Sequence, residues 1–274
     1  MGLSEKEFLD ATTGIIERAR ERNVPLRVLG ALAVYIHSLD KKESQEAFRS
    51  LGRLGADKPL FTDLDLAAYG KQKKEITKLF QEMGFKPDEM VNALFGNSRL
   101  IYYHPQGKFS VDIFLNKLEF SHDVKFGEVP GSGRLELDYP TITLADIVLE
   151  KLQIHNINRK DLVDLIVLFM GHSIDGGSMS SSKEAIDARY VAQVLSNDWG
   201  FWYDAASNLE KVKSIAQDSV RDGKLSEGQF QTVCSRIDEL TKIVEATPKS
   251  GDWLKRSKAG VKKKWYREVD EVVR

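Results

Sequence analysis

The segment FTDLDLAAY, residues 61–69, restricts the possible folds of this chain more than any other part of the sequence. Apolar and acidic residues alternate in it, and alternation with a period of two is typical of a β-strand. Side chains two residues apart lie on one face of a strand, so Asp63 and Asp65 share a face, while Leu64 and Leu66 face a core. The segment therefore predicts a half-buried strand that presents two carboxylates on one side.

Two like charges on one strand face have two interpretations. Neighbouring carboxylates repel each other and raise each other's pKa unless a cation joins them. Mg²⁺ binds carboxylate oxygens and keeps positions for phosphate, so it would remove the repulsion between Asp63 and Asp65. A solvated face of an edge strand, or a capped turn, would remove it as well. Residues elsewhere in the chain bear on the choice between a metal site and a surface.

Composition excludes several classes of protein. The 274 residues suffice for one large or two ordinary domains, and the formal net charge of −1 gives no overall field toward nucleic acid or membrane. The single cysteine, Cys234, excludes an internal disulfide. The first residues lack the pattern of a secretion signal, and no apolar run reaches the roughly 18 residues of a membrane span. We therefore expect a cytoplasmic protein without a membrane partner.

Strands and helices are mixed in the first half of the chain. Ser4 and Glu7 form a capping-box pattern, which predicts a helix that reaches about Arg22. Predicted strands cover residues 26–30 and the runs TDLDLAAY, SRLIYYHP, KFSVDIFL and part of VPGSGRLEL. Predicted helices cover residues 31–39 and the run KKEITKLFQEMGF. Residues 40–58 are charged and contain two glycines, so we expect a loop there.

From residue 143 the pattern is helical to the end of the chain. The predicted helices are LADIVLEKLQIH, RKDLVDLIVLFM, KEAIDARYVAQVL, WGFWYDAASNLEKVKSIAQ and EGQFQTVCSRIDELTKIVEA. The run GHSIDGGSMSSS, residues 171–182, is expected to be a loop, and it lacks the Gly-Lys-Ser/Thr ending of a phosphate loop. We predict an α+β fold, with a mixed sheet flanked by helices in residues 1–142 and a helical domain with a basic tail in residues 143–274.

A glycine and a third aspartate accompany the acidic strand. Gly30 stands where a predicted strand becomes a helix, and the first amides and the dipole of a helix favour phosphate. Asp112 alternates with Val111 and Ile113 in the run FSVDIFL. Three carboxylates from two strands could hold one or two Mg²⁺ ions opposite a helix end that suits a triphosphate. Taken singly, Gly30 is an ordinary turn glycine and Asp112 an ordinary surface residue.

The motifs LGALAVYIHS, FTDLDL and VDIF together resemble the nucleotidyltransferase fold of the polymerase-β-like superfamily. The run LADIVLEKLQIHNINRKDLVDLIVLF is similar to a segment of the AbiEii/AbiGii toxin group, which shows Lys-Leu on one helix and Lys-Asp-x-x-Asp on the next. The resemblance covers about residues 25–170. It implies a nucleotidyltransferase that uses Mg²⁺ or Mn²⁺, transfers an NMP from an NTP to an acceptor hydroxyl and releases pyrophosphate.

The resemblance also implies roles for individual residues. It places the metal ions and the catalytic chemistry on Asp63, Asp65 and Asp112, and Asp112 is also a candidate acceptor of the hydroxyl proton. It assigns nucleotide contacts to Gly30, Ala31, Thr62, Lys151 and Asp164. Asp161 matches the other acid of the Lys-Asp-x-x-Asp run. Ala31 stands where the family usually has a second Gly or Ser, which removes a hydroxyl contact but keeps the backbone amide.

Lys151 and Asp164 also have structural interpretations. Lys151 shares a helical stripe with apolar residues, and a lysine there either reaches water with its ammonium group or binds an anion. Asp164 stands in a helix that is apolar on nearly all sides, so its carboxylate needs a partner. Lys151, Arg159 or Lys160 could supply that partner, and the pairing could be purely structural.

Several acceptors and partners are compatible with the sequence. The resemblance implies a toxin-like enzyme that modifies tRNA or another RNA and has an antitoxin partner. The alternatives are a small-molecule nucleotidyltransferase of the antibiotic-modifying kind, a protein acceptor, and a non-catalytic interaction module that keeps the fold. Residues 249–264 carry seven Lys or Arg side chains around Trp253, with Trp265 and Tyr266 directly after them. That pattern is typical of RNA binding or of a solvated helix end.

Overall fold

The computed structural model describes residues 3–53, 60–177 and 184–268. The fold is α+β, as predicted, with a mixed five-stranded sheet followed by a helical C-terminal part. Two compact units make up the chain. Unit 1 consists of Met1–Ile36, Leu54–Glu119 and Val124–Thr143, and unit 2 of His37–Arg53, Phe120–Asp123 and Leu144–Arg274.

The elements before residue 144 include every strand of the main sheet. They are α1 (Glu5–Glu21), β1 (Arg27–Val28), α2 (Gly30–His37), α3 (Lys42–Ser50), β2 (Asp63–Ala68), α4 (Lys73–Glu82), β3 (Lys86–Pro87), α5 (Glu89–Phe95), β4 (Arg99–Tyr103), β5 (Ser110–Leu115), β6 (Lys117–Glu119) and β7 (Asp123–Lys125). The strand order in the main sheet is β1-β2-β5-β4-β3. β2 and β5 are parallel, and the other neighbouring pairs are antiparallel.

The alternation of FTDLDLAAY predicts both faces of β2 correctly. Leu64 and Leu66 are fully buried, whereas Asp63 is exposed and Asp65 is half-buried. The predicted hairpin is also confirmed as the antiparallel pair β4 and β5, whose turn passes through Gly107 at a φ of 65°. The inner face of the sheet packs on α4, where the Phe80 ring stacks on the Tyr102 ring at a centroid distance of 4.6 Å.

Helices dominate the chain after residue 143. The elements there are α6 (Leu144–Leu152), α7 (Arg159–Gly171), β8 (Ile174–Asp175), β9 (Ile186–Asp187), α8 (Ala188–Asn197), α9 (Trp199–Arg221), α10 (Glu227–Ala246) and α11 (Gly251–Ser257). α7 is buried on nearly all sides, as its apolar sequence predicts. In the described ranges, no helix is both long enough and apolar enough to cross a lipid bilayer.

Capping explains where several helices begin. Ser4 and Glu7 form the predicted capping box of α1, and Ser226 with Gln229 forms a second one at the start of α10. Each box satisfies backbone N–H groups that have no partner within the helix. The predicted run EGQFQTVCSRIDELTKIVEA therefore coincides with α10.

The prediction of a loop for residues 40–58 is wrong over α3. Ser44, Ala47 and Phe48 are buried and recur at helical spacing. The charged residues Lys42, Glu43, Glu46 and Arg49 are exposed. The high charge of this segment belongs to the outer face of an amphipathic helix. Residues 54–58 of the predicted loop lie outside the described residues.

Three further differences concern short elements. The strand predicted within VPGSGRLEL is wrong, because residues 129–137 form turns and bends. α5 was not predicted; its N-cap residue is Asp88, whose side chain accepts a hydrogen bond of 2.9 Å from Val91 N. The expected loop of residues 171–182 includes β8, which pairs in parallel with β9, and its residues 178–182 lie outside the described ranges.

The two units do not coincide with the predicted domains, residues 1–142 and 143–274. The last change of unit does fall between Thr143 and Leu144. However, residues 37–53 and 120–123 belong to unit 2 although they precede that point. For the first of these segments the reason is the packing of α3 against α7.

Candidate functional site

Asp65 and Asp112 lie side by side on the main sheet. The parallel register of β2 and β5 pairs Asp65 with Asp112 and Asp63 with Ser110. Paired residues of neighbouring strands project from the same face, so the three aspartates share the face opposite Leu64. The structure thus places the three predicted acids on one face of the main sheet.

The three acids differ in their access to water. Asp112 is only 4% exposed, Asp65 is half-buried and Asp63 is exposed. The exposed Thr62 donates a hydrogen bond of 2.8 Å from its Oγ1 to Asp63 Oδ1. The acidic face therefore runs from solvent toward the interior of unit 1.

A guanidinium group lies beside the innermost acid. Arg99, the first residue of β4, donates from Nη2 to Asp112 Oδ2 over 2.6 Å. The antiparallel register pairs Ile101 with Asp112, so Arg99 reaches Asp112 diagonally from two residues away on the same face. The side chains are 24% and 5% exposed, respectively, so the ion pair is largely withdrawn from water.

Arg99 makes a single contact with the carboxylate. Its Nε is buried and has no hydrogen-bond partner among the residues that the structure describes. Its Cζ lies 5.3 Å from the centroid of the Phe114 ring, which covers one side of the guanidinium. Arg99 was not predicted as a partner of Asp112, because their common face depends on the observed hairpin register, which pairs Ile101 with Asp112.

Gly30 fixes the start of α2 against Asp65. Its φ is 71°, a conformation that residues with a side chain rarely adopt. A β-carbon at this position would lie 3.0 Å from Asp65 Oδ2. The preceding residue, Leu29, donates its backbone N–H to the carbonyl of Asp65 over 3.0 Å. The first turn of α2, including the half-buried Ala31, is therefore held beside the acidic face.

The chemistry of these ligands suits a hard divalent cation. Mg²⁺ and Mn²⁺ prefer carboxylate oxygens, and the absence of a side chain at Gly30 keeps space beside Asp65 Oδ2. Within the described ranges, however, no three His, Cys, Asp or Glu side chains are grouped so that they could hold a metal ion. Asp112 is engaged by Arg99 instead.

Lys151 and Asp164 lie in unit 2, within a buried cluster of charges. Lys151 Nζ lies 2.9 Å from Asp161 Oδ1, 3.1 Å from Asp164 Oδ2 and 3.4 Å from Glu150 Oε1. Arg53 Nε donates to Asp164 Oδ1 over 2.7 Å. Burial alone lowers the pKa of Lys151, but the carboxylates of Asp161, Glu150 and Asp164 outweigh burial and hold that pKa well above its ordinary value.

The cluster identifies the ionic partners of Asp164. Of the three candidates, Lys151 forms the ion pair, whereas Lys160 is exposed. The second partner, Arg53, was not predicted, because it lies 111 residues away in sequence. Three carboxylates surround an ammonium group that has three N–H donors. The nucleotide contacts that the resemblance assigns to Lys151 and Asp164 stay predictions.

Asp204 lies at the centre of a second buried cluster of unit 2, which was not predicted. Its Oδ2 lies 2.8 Å from His122 Nε2, and its Oδ1 lies 2.9 Å from His155 Nδ1. Trp265 Nε1 donates to the same Oδ1 over 3.0 Å. Burial raises the pKa of Asp204, but the hydrogen bonds from His122, Trp265 and His155 outweigh burial and lower that pKa.

The basic tail is attached to unit 2 by its aromatic residues. Tyr266 stacks on His155 with ring centroids 3.5 Å apart, and Trp253 meets Trp202 edge-on at 5.2 Å. By contrast, the lysines Lys255, Lys258, Lys262, Lys263 and Lys264 are exposed. The rings are therefore engaged within the protein, while the positive charges face solvent.

Comparison with known proteins leaves the family open. No protein-family model, no curated protein and no solved structure matches the chain. The resemblance to the polymerase-β-like superfamily therefore stays a prediction that rests on the sequence motifs.

Proposed function

We propose that the protein is a nucleotidyltransferase that uses Mg²⁺ or Mn²⁺, transfers an NMP from an NTP to an acceptor hydroxyl and releases pyrophosphate. The register that places Asp65 beside Asp112, with Asp63 on the same face, carries the proposal. The close approach of Gly30 to Asp65 supports it, because a helix start suited to phosphate then lies next to the acids. When bound to carboxylates, divalent ions stabilise the attacking and leaving oxygens of such a transfer.

The residues of unit 1 take separate roles in this proposal. Asp65 and Asp112 would hold the cation between adjacent strands, and the exposed Asp63 would hold it from the solvent side. Amides of the first turn of α2, including that of Ala31, would bind the triphosphate. The hydroxyl proton would pass to a carboxylate of the site, for which Asp112 is the candidate.

An RNA hydroxyl is the acceptor that we favour. The exposed lysines of residues 255–264 supply positive charge that could bind phosphates of RNA. The motif resemblance adds that such an enzyme would be toxin-like and would have an antitoxin partner. A small molecule or a protein is the alternative acceptor.

One observation favours a second candidate function. Arg99 already forms an ion pair with Asp112, so this buried carboxylate has a positive partner without a metal ion. A non-catalytic interaction module that keeps the fold would show the same ion pair. The two functions differ in whether the chain transfers nucleotides.

Labelling distinguishes these functions. Each α-labelled NTP is incubated with Mg²⁺ or Mn²⁺, the protein, and total RNA, protein or small-molecule extract. We expect the RNA fraction to carry label with the wild type and with Asp10→Asn, a matched change at an exposed aspartate of α1. Asp65→Asn should leave the RNA unlabelled. Label in the small-molecule or protein fraction would change the acceptor, and no label in any fraction would favour the interaction module.

A further inference from the structure

We propose that the outer face of α5 binds a second copy of this chain, with the two α5 helices packed antiparallel about a two-fold axis. The outer face consists of Met90, Ala93 and Leu94, with Glu89 at one end, and it lies in unit 1. The inference is independent of the proposed function.

The outer face of α5 is apolar although it faces solvent. Met90 and Leu94 are 71% and 70% exposed, and Ala93 is exposed as well. The three residues are three or four positions apart, so they form one stripe along the helix. In a helix that packs only on its own domain, the apolar stripe faces the core and the polar residues face water. Clustered apolar side chains on a surface mark an interaction site.

The opposite side of α5 is fixed to the edge of the main sheet. Asn92 bonds both backbone groups of Ile101: its Oδ1 accepts from Ile101 N over 2.7 Å, and its Nδ2 donates to the Ile101 carbonyl over 3.0 Å. Val91, on the same side, is buried. The helix therefore cannot rotate to bury Met90 and Leu94 without losing both hydrogen bonds.

Charges at the two ends of α5 favour an antiparallel second copy. Glu89 is exposed in the first turn of the helix. Lys73 lies at the other end, where a β-carbon on Gly96 would be 2.8 Å from Lys73 Nζ. A two-fold axis near Ala93 places Glu89 of each copy at the Lys73 end of the other copy. The helix dipoles also oppose each other in this arrangement, which is favourable.

The size of the outer face predicts a reversible dimer. A stable protein–protein interface usually covers about 800 Å² on each partner. The three side chains of the outer face, together with Phe95, which is 56% exposed, supply only part of such an area. We therefore expect monomers and dimers in an equilibrium that depends on protein concentration.

The first test uses two variants that should each fail to pair with themselves. Glu89→Lys would bring two positive charges together at each end of the helix pair, and Lys73→Glu would bring two negative charges together. In sedimentation velocity, each variant should remain monomeric at a concentration at which the wild type dimerises. An equimolar mixture of the two variants should dimerise again, because opposite charges then meet at both ends.

Two leucine variants show whether the outer face itself forms the contact. Leu94→Gln should remain monomeric at the same concentration. Leu137→Gln is the matched control, because Leu137 is 49% exposed in a bend of the same unit, outside α5. It should dimerise like the wild type.

Cross-linking locates the two-fold axis. In a Cys234→Ser background, which removes the native thiol, Ala93→Cys places a thiol near the axis of each copy. A thiol oxidant should then link two copies through a disulfide. Thr13→Cys is the control at an exposed position of α1 and should give no linked dimer.

Several results would overturn the proposal. One is a wild-type protein that remains monomeric at every concentration, and another is a dimer that persists in Leu94→Gln. If the mixture of Glu89→Lys and Lys73→Glu does not dimerise, or if Thr13→Cys is linked as readily as Ala93→Cys, the antiparallel pairing is wrong. None of these results bears on nucleotide transfer, so the proposed function is tested separately.

Discussion

Lys151 and Asp164 form an ion pair inside unit 2, with Nζ 3.1 Å from Oδ2. We predict that Lys151→Met lowers the free energy of unfolding by about 3–5 kcal/mol, because it leaves buried carboxylates uncompensated. Urea unfolding followed by tryptophan fluorescence measures this change in the right unit, since all four tryptophans lie in unit 2.

Lys160→Met is the control for this prediction, because Lys160 is exposed and lies next to Asp161 in the sequence. It should leave the unfolding curve nearly unchanged. If Lys151→Met is as stable as the wild type but binds NTP more weakly, Lys151 has the phosphate-binding role that the motif resemblance implies.

Asp65→Asn and Asp112→Asn should have opposite effects on the metal-free protein. Asp65→Asn removes one of three neighbouring carboxylates, so the melting temperature should hold or rise. Asp112→Asn removes the ionic partner of Arg99 and should destabilise the protein by about 1.5–3 kcal/mol, the range for hydrogen bonds to charged groups. Scanning calorimetry measures both, and a loss of stability in Asp65→Asn would show that its carboxylate is structurally required.

Gly30→Ala should destabilise the protein by more than its backbone conformation alone requires. Both Gly30 and Gly107 have a positive φ, at 71° and 65°, and alanine in that conformation costs about 1–2 kcal/mol. A β-carbon at Gly107 meets nothing within 4 Å, whereas one at Gly30 meets Asp65 Oδ2. The difference between the two alanine variants in chemical unfolding measures the contact with Asp65. Equal losses of stability in the two variants would show that the Asp65 side chain moves away from the added β-carbon.

Stability should depend on pH through His172. Burial lowers the pKa of His172 to about 4, while its Nδ1 donates to the carbonyl of Glu184 over 2.9 Å. Between about pH 6.5 and 4 the unfolded chain takes up a proton that the folded protein excludes, so stability falls as pH decreases through this window. The full shift corresponds to about 3 kcal/mol.

His172→Asn tests this dependence, because asparagine keeps a donor for the carbonyl of Glu184 but does not titrate near neutral pH. Fluorescence-detected urea unfolding at pH 7 and pH 4.5 should show a smaller difference in the variant than in the wild type. An identical difference in both would assign the pH dependence to other groups.

Binding of RNA by the tail should depend on charge and not on stacking, because Trp265 and Tyr266 are engaged with unit 2. If Lys262 and Lys263 are replaced with Gln, the slope of log affinity against log salt should become shallower. The expected change is about 0.7 for each phosphate of single-stranded RNA that these lysines neutralise in the wild type. Gel-shift titrations at several salt concentrations measure the slope. An unchanged slope would remove these lysines from the RNA site.

Local patterns predict much of the fold, and long-range partners account for what they miss. Alternation identified β2 and its two faces, and capping residues identified the start of α1. α3 was missed because its few buried residues are hidden among charges, and their burial depends on α7, far along the chain.

The candidate site shows the same limit. The spacing of Asp63 and Asp65 predicts their common face, but the partner of Asp112 depends on the register of a hairpin, which is specified locally only by its turn. The partners of Asp204 are harder still to predict from sequence. His122, His155 and Trp265 lie 82, 49 and 61 residues away from it. No periodicity links residues at such separations.

The discontinuous composition of unit 2 has a consequence for synthesis on the ribosome. α3 emerges early, but α7, against which it packs, is translated only after the whole of the main sheet. Until then the apolar side of α3, with Ala47 and Phe48, lacks the helix against which it packs. A nascent chain that stops near residue 143 would carry this exposed patch, which makes the interval before α7 the stage at which a chaperone would most benefit folding.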